Sequence, residues 1–245
     1  MKLISLNVWG GRLFNPLMSF LQKYSKDVEI FCLQEVFNNS PNAKSAVQRG
    51  AKENIYLDIK KALSGFDAFI APVQDNEESL AMFTRRTLPI KKIDEVFVYR
   101  WKNAMMDNDA STYGVNVQYA QFQKDNKNYI VCNLHGHWTP NFKGDNPARL
   151  EQFRNIKRFL DGLEGRKILC GDFNVAPDTK SVSILESSMR NLISEYKITS
   201  TRSHLYTKEL KFADYIMVSP EVRTKNFEVL QVVVSDHLPL LLEFD

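Results

Sequence analysis

The chain has 245 residues, of which 44% are apolar and 25% charged, with a formal net charge of +3. This is ample apolar sequence for a sizeable core, so a chain too polar to fold is excluded, and the small basic excess selects no partner by itself. No stretch approaches the roughly 18 apolar residues of a membrane-spanning helix.

The first run, Lys2–Val8 in "MKLISLNVWGG", reads as a strand. It is too short for a secretory leader and is broken at once by Asn7. A soluble cytoplasmic protein is expected, monomeric and without membrane insertion. Pro16–Tyr24 follows with Leu17, Phe20, Leu21 and Tyr24 on one helical face. Val28–Leu33 is the second strand. A long helix is expected over Ala43–Leu63, bringing Ile55, Ile59 and Leu63 into line. Strands are then expected at Ala68–Ala71, Leu80–Thr84, Val115–Phe122 and Tyr129–His135. "VNVQYAQF" alternates like a half-buried strand, whereas "YIVCNLH" is almost uniformly apolar, as in a strand covered on both sides.

Pro147–Leu160 is the clearest helix. Asn146 is a natural N-cap, Pro147 a good first residue, and Gly162 follows the end. Leu150, Phe153, Ile156 and Leu160 form its stripe. Lys167–Cys170, Phe212–Val218, Phe227–Val234 and Leu238–Phe244 are further strands, with a short helix over Thr179–Met189. "VLQVVV" within Phe227–Val234 also reads as covered on both faces. The three cysteines, Cys32, Cys132 and Cys170, each lie in an apolar run, without metal or redox spacing. They read as buried small hydrophobes of a reducing compartment. There is no repeat and no linker, so residues 1–245 form one domain. Helices interspersed with many strands suit two packed sheets flanked by helices better than a doubly wound parallel sheet.

Several strands end in polar residues: Asn7, Glu35, His135, Asp172 with Asn174, and Asp236 with His237, while Asp214 lies inside an apolar run. Burying a lone carboxylate costs several kcal/mol, ~2–7 on common scales for even a neutral polar group. A chain that repeats this at five strand ends gathers those groups in one place. A divalent cation would neutralise them, and Asn7, Glu35 and Asp236 offer the hard oxygen donors that suit Mg²⁺ or Mn²⁺ rather than zinc.

In order along the chain stand "SLNVWGG", "LQEVF" (Leu33–Phe37), "NLHGHW" (Asn133–Trp138), "GDFN" (Gly171–Asn174), "ADYIMVS" (Ala213–Ser219) and "SDHLPL" (Ser235–Leu240). This set resembles the endonuclease/exonuclease/phosphatase family, which includes deoxyribonuclease I, exonuclease III-like abasic endonucleases, neutral sphingomyelinases, inositol polyphosphate 5-phosphatases and mRNA deadenylases. The resemblance implies an α+β fold, the deoxyribonuclease I-like four-layer α/β/β/α sandwich, with a cleft at one edge of the strands. It also implies metal-assisted attack of water on a phosphate ester.

By that resemblance Asp172 orients or deprotonates the attacking water, and Asn174 donates to the phosphate or holds the water. Glu35 is the main metal ligand, assisted by Asn7 and Asp236. His237 contacts a phosphate oxygen, and Asp214 fixes its tautomer. His135 stabilises the transition state or protonates the leaving oxygen, oriented by Glu78, although Glu77 is adjacent. His137 lies two residues beyond His135 and either shares its side or sits exposed in the loop. Trp9 and His135 stand where abasic endonucleases carry other residues, which turns the resemblance away from a dedicated abasic-site enzyme.

Specificity is expected from three loops, Arg100–Gly114, His137–Arg149 and Ser200–Lys211. Trp101, Trp138 and Arg149 are the candidate substrate contacts. Lys143, Arg202 and Tyr206 belong to the same mixture of basic and aromatic residues, which suits stacking on bases and pairing with phosphates. The expected substrate is a nucleic acid, DNA or RNA; a lipid-type or small phosphoester is the alternative. A binding protein that had lost catalysis would show breaks at Glu35, Asp172, Asn174 or His237, and none is broken.

Overall fold

The computed structural model describes residues 1–39, 47–74, 78–104, 113–140 and 142–245. Two six-stranded mixed sheets pack face to face. The first contains β1 (Lys2–Asn7), β2 (Ile30–Phe37), β3 (Phe66–Pro72), β4 (Glu78–Arg85), β11 (Thr224–Val229) and β12 (Leu240–Phe244), in the order β11-β12-β1-β2-β4-β3. The second contains β5 (Ile90–Tyr99), β6 (Val115–Lys124), β7 (Lys127–His135), β8 (Arg166–Asp172), β9 (Arg190–Asn191) and β10 (Asp214–Val218), in the order β5-β6-β7-β8-β10-β9. Five α-helices are seen among the described residues: α1 (Phe14–Tyr24), α2 (Ile55–Ala62), α3 (Pro147–Asp161), α4 (Lys180–Glu186) and α5 (Leu192–Glu195).

Strand alternation builds the layers. Along β1 and β2, Leu3, Ile30 and Cys32 face the second sheet and join its core, which continues under α3 and α4. Their neighbours Ile4, Phe31 and Leu33 face the other way, onto α1 and α2. The result is the four-layer α/β/β/α sandwich of the deoxyribonuclease I type. All three cysteines are buried and free, Cys32 and Cys170 within the core between the sheets. A seam of buried amides crosses that core. Gln34 donates to Asn133 Oδ1 (2.7 Å), Asn133 to Leu33 O (3.1 Å) and Gln118 to Phe69 O (3.0 Å).

Each sheet has one central parallel pair. β1 runs beside β2 with Asn7 opposite Gln34, and β7 beside β8 with His135 opposite Asp172. Parallel neighbours end on the same edge, so polar residues at their C-terminal ends meet there. Antiparallel β10 begins where β8 ends, setting Asp214 opposite Asp172.

Three sequence expectations change. Continuous helix over Ala43–Leu63 is not found: residues 47–48 are helical, Gly50 has φ +94°, residues 51–54 are not helical, and helix resumes over Ile55–Ala62. Residues 43–46 lie outside the described residues. Phe227–Val234 ends as a strand at Val229, and Val232 beyond it is exposed, so "VLQVVV" is not a strand covered on both faces. β5 was not expected, because "IKKIDE" carries four charges; it is an edge strand, where charge on an open side is tolerated.

Candidate active site

The pairing of β2 with β4 slips between Leu33 and Val36. Glu35 sits in this bulge with φ +56°, a left-handed conformation uncommon for a residue with a Cβ. Strict alternation would send Glu35 to the same face as Leu33, under the helices. The bulge gives that place to Val36, which packs in the outer core, and releases Glu35 into the cleft. Buried Asn7, at the end of β1, then joins the two sheets. Its Nδ2 donates to Glu35 Oε1 (2.8 Å) and Asp172 Oδ2 (3.1 Å), while its Oδ1 accepts the Trp9 N–H (2.9 Å). Asn7 thus meets the two carboxylates through its amide nitrogen, with its oxygen turned to the backbone.

Gly171 allows Asp172 to be placed. Its φ is +139°, and a Cβ there would meet Leu134 O at 1.9 Å, so β7 and β8 approach as closely as they do only because it is glycine. Asp172 is buried, and its Oδ1 accepts the Asn174 N–H (2.9 Å). Around its Oδ2 stand His237 Nε2 at 3.5 Å, His135 Nε2 at 3.8 Å and Arg202 Nη2 at 4.0 Å. Burial pushes the Asp172 carboxyl up, but His237, Lys143, Arg202 and His135 outweigh it and hold it well below the usual carboxylate range. Asn174 has φ +57° and turns its side chain back, donating to Gly136 O (3.0 Å) and accepting from Lys143 Nζ. Phe173 between them packs inward, stacked on Tyr215.

Buried His237 binds Asp214 Oδ1 through Nδ1 (2.8 Å), and Thr201 Oγ1 donates to the other oxygen of Asp214 (2.9 Å). Both Asp214 oxygens are thereby used, which fixes the ring. Burial and the Arg202 charge push the imidazole pKa down; Asp214, Asp236 and Asp172 push it up and prevail, so it lies above its ordinary value. On the opposite wall Glu78 Oε1 stands 3.6 Å from His135 Nδ1, joining the two residues paired in the sequence reading. Glu77 lies outside the described residues.

Two basic residues stand closer to the centre than the sequence suggested. Arg202 Nη1 donates to Asp236 Oδ2 (3.0 Å), and Lys143 reaches Asn174. The sequence placed both in the basic and aromatic mixture of the specificity loops, and the aromatic residues there were the available signal. Three other placements differ from expectation. Arg149 is fully buried and spends its guanidinium on the carbonyls of His137, Phe142 and Gly144, so it shapes the loop instead of contacting substrate. Trp101 is exposed and does not itself line the cleft, and most of its loop, 105–112 with Met105 and Met106, lies outside the described residues. His137 is neither in the cleft nor exposed: it is buried and stacked on Tyr113. Trp138 does line the cleft and is 46% exposed.

The cleft encloses about 800 Å³. Glu35, Asp172, Asn174, Asp236 and His237 line its floor, and Trp9, Trp138, Phe142 and Tyr206 its walls. The donor set fits a hard divalent cation. Glu35 opens into the cleft with only the Asn7 amide and no ion pair on it among the described residues. Asp172, Asp214 and His237 also bring one ligand atom each within 4.8 Å of one another, a group that could hold a metal ion. In that trio the atoms of Asp214 already have protein partners, so Glu35 is the more available oxygen donor.

Comparison with known proteins gives the same frame. Among curated proteins none matches the chain in sequence. A family protein from Bacteroides thetaiotaomicron superposes with a TM-score of 0.74 at 20% identity, covering 100% of this chain and 94% of that one. A mannosyl-6-phosphatase from the same organism gives 0.73 at 19%, covering 100% and 99%. The human Nocturnin catalytic domain with bound sulfate gives 0.68 at 16%, covering 100% and 94%. The sequence model of the endonuclease/exonuclease/phosphatase family matches residues 4–237. Strand ends, cleft and sequence signature thus coincide over nearly the whole length, and the chain belongs to the endonuclease/exonuclease/phosphatase family.

Proposed function

We propose that the protein is a divalent-metal-dependent phosphodiesterase that hydrolyses nucleic acid. The observation carrying this reading is the convergence on one cleft of ionised Asp172, the His237–Asp214 pair and the open carboxylate of Glu35, beneath an aromatic and basic rim. Trp138 and Phe142 are about half exposed, and Arg12 lies 4.4 Å over the Trp9 ring. Flat faces beside cations suit bases and phosphates in succession.

Glu35 would hold Mg²⁺ or Mn²⁺, and the ion when bound would neutralise phosphate charge and polarise its oxygens. Asp172, kept anionic by its neighbours, accepts a hydrogen bond from the attacking water and orients it. So stabilised an anion is a weak base, which favours orientation over outright deprotonation. His237 donates from Nε2 to a phosphate oxygen when protonated, its ring held by Asp214. His135, backed by Glu78, faces the site from the other wall and serves the leaving oxygen.

A second reading has a specific observation behind it. Buried Arg202 and half-buried Lys143 bring two cations to the cleft, which suits a dianionic phosphomonoester, and one structural relative is a mannosyl-6-phosphatase. The deciding experiment is a cleavage panel for wild type and Asp172→Asn with Mn²⁺, Mg²⁺ or EDTA. Plasmid, single-stranded DNA, an abasic duplex, RNA, sphingomyelin vesicles and sugar phosphates are the substrates. Metal-dependent cleavage of nucleic acid that disappears in the variant supports the main reading. Phosphate release from sugar phosphates with nucleic acid intact replaces it by the second, and undiminished turnover in EDTA removes the metal.

A further inference from the structure

We infer that Arg202 is a resident cation of the catalytic centre: it binds Asp236 and screens Asp172, so that the site takes a single divalent ion, against Glu35. This rests on the metal dependence proposed above and specifies where its charge is supplied.

Arg202 is not a surface arm. It is 7% exposed, and its backbone is fixed to the segment that carries the catalytic histidine. Arg202 bridges to His237, Ser203 N–H donates to Asp236 O (3.0 Å), and Leu238 N–H donates to Thr201 O (2.9 Å). The guanidinium lies 4.3 Å over the Tyr206 ring, which closes its outer face. Nη1 holds Asp236 Oδ2 at 3.0 Å and also contacts His237 Nε2, and Nη2 stands 4.0 Å from Asp172 Oδ2. A guanidinium only donates, so a neutral His237 must accept at Nε2 and carry its proton on Nδ1, toward Asp214.

The charge distribution follows. Asp236 and Asp172 share a fixed monovalent cation that does not deprotonate. A divalent ion set between them would be repelled by that guanidinium at short range and low dielectric. Glu35 stands apart from it, with an amide as its hydrogen-bond partner and no cation paired to it among the described residues. The centre therefore contains one immobile cation and one place for an exchangeable one.

The test is the Mn²⁺ stoichiometry of the intact protein, read from the signal of free Mn²⁺ by electron paramagnetic resonance. One ion per chain is expected, lost in Glu35→Gln. Arg202→Met should admit a second ion, which Asp236→Asn in the same chain removes again. Arg202→Lys, which keeps the charge, should retain the wild-type count. Two ions on wild type would overturn the inference while leaving metal dependence standing, as would a folded Arg202→Met that still binds one. Were Arg202→Met to lose its circular dichroism spectrum, the counts on wild type and Arg202→Lys decide. No Mn²⁺ bound to wild type would overturn the metal reading, and this inference with it.

Discussion

Asp214 acts on substrate only through His237, which makes it a positioning residue with a measurable signature. Asp214→Asn preserves the shape of the side chain and loses the charge that favours the Nδ1 proton. Turnover should fall about 10²–10⁴-fold, the usual contribution of a placed acid or base, with KM little changed. Steady-state rates with the substrate found by the cleavage panel check this, and a loss confined to KM would assign Asp214 to substrate binding. At this scale the sequence was legible where a polar residue interrupts an apolar run. Asp172, Asp214 and His237 are such residues, and all three are buried together. It was not legible where burial alone decides the role. Arg149 and Arg202 look alike in their loops, yet one ties down backbone carbonyls and the other faces Asp236. Which carbonyls lack donors is a property of the folded loop.

Short-range elements show the same division. The cap of α3 was readable from Asn146 and Pro147, and Asn146 Oδ1 does accept the Arg149 N–H (2.8 Å). The bulge of β2 was not, since nothing in "LQEVF" announces that Glu35 will adopt a positive φ. Nor was the second cap of α4. Thr179 caps this helix locally, but Asp145, from the loop bearing Lys143, also accepts from the N–H groups of Lys180 (2.8 Å) and Ser181 (2.9 Å) and from Ser181 Oγ (2.7 Å). Asp145 thus pins a wall of the cleft to a helix N-terminus, where a negative charge is favoured. Burial raises its pKa, but the Ser181 hydroxyl and the two backbone N–H groups lower it further, for a net decrease. A carboxyl depressed on folding stabilises above its unfolded pKa, about 3.9, and loses that stabilisation as pH falls through its lower folded value. Asp145→Asn should therefore cost roughly 0.5–1 kcal/mol at pH 7, the low end for a cap because solvent screens it. Thermal melts of the two proteins should converge as pH falls below that lowered value. A gap that persists unchanged into acid would mean that the carboxylate charge contributes nothing.

For the whole molecule, the layer count followed from apolar strands interspersed with helices, whereas strand order did not, because the pairing of β1 with β12 joins opposite ends of the chain. The amide seam between the sheets was equally hidden. Gln34 of β2 and Asn133 of β7 meet across the core, which depends on how the two sheets pack face to face. The seam places a site built from both sheets: Gln34 directly precedes Glu35 in the bulge, and Asn133 directly precedes Leu134, on which Gly171 closes. Asn133→Ala would remove the acceptor of Gln34 Nε2 and the donor to Leu33 O, leaving Gln34 only Cys32 O at 3.2 Å. Unpaired buried polar groups cost about 1–3 kcal/mol each, so the melting temperature should drop clearly. A loss of stability alone would say little about function. The informative comparison is Ile156→Ala, a buried cavity under α3 worth about 2–5 kcal/mol and remote from the bulge in sequence. At temperatures where both variants are folded, Asn133→Ala should weaken Mn²⁺ binding by loosening the backbone that aims Glu35, and Ile156→Ala should not. Equal weakening in both would make the seam ordinary core; weakening in Asn133→Ala alone would make it the link through which packing of the two sheets sets the geometry of the cleft.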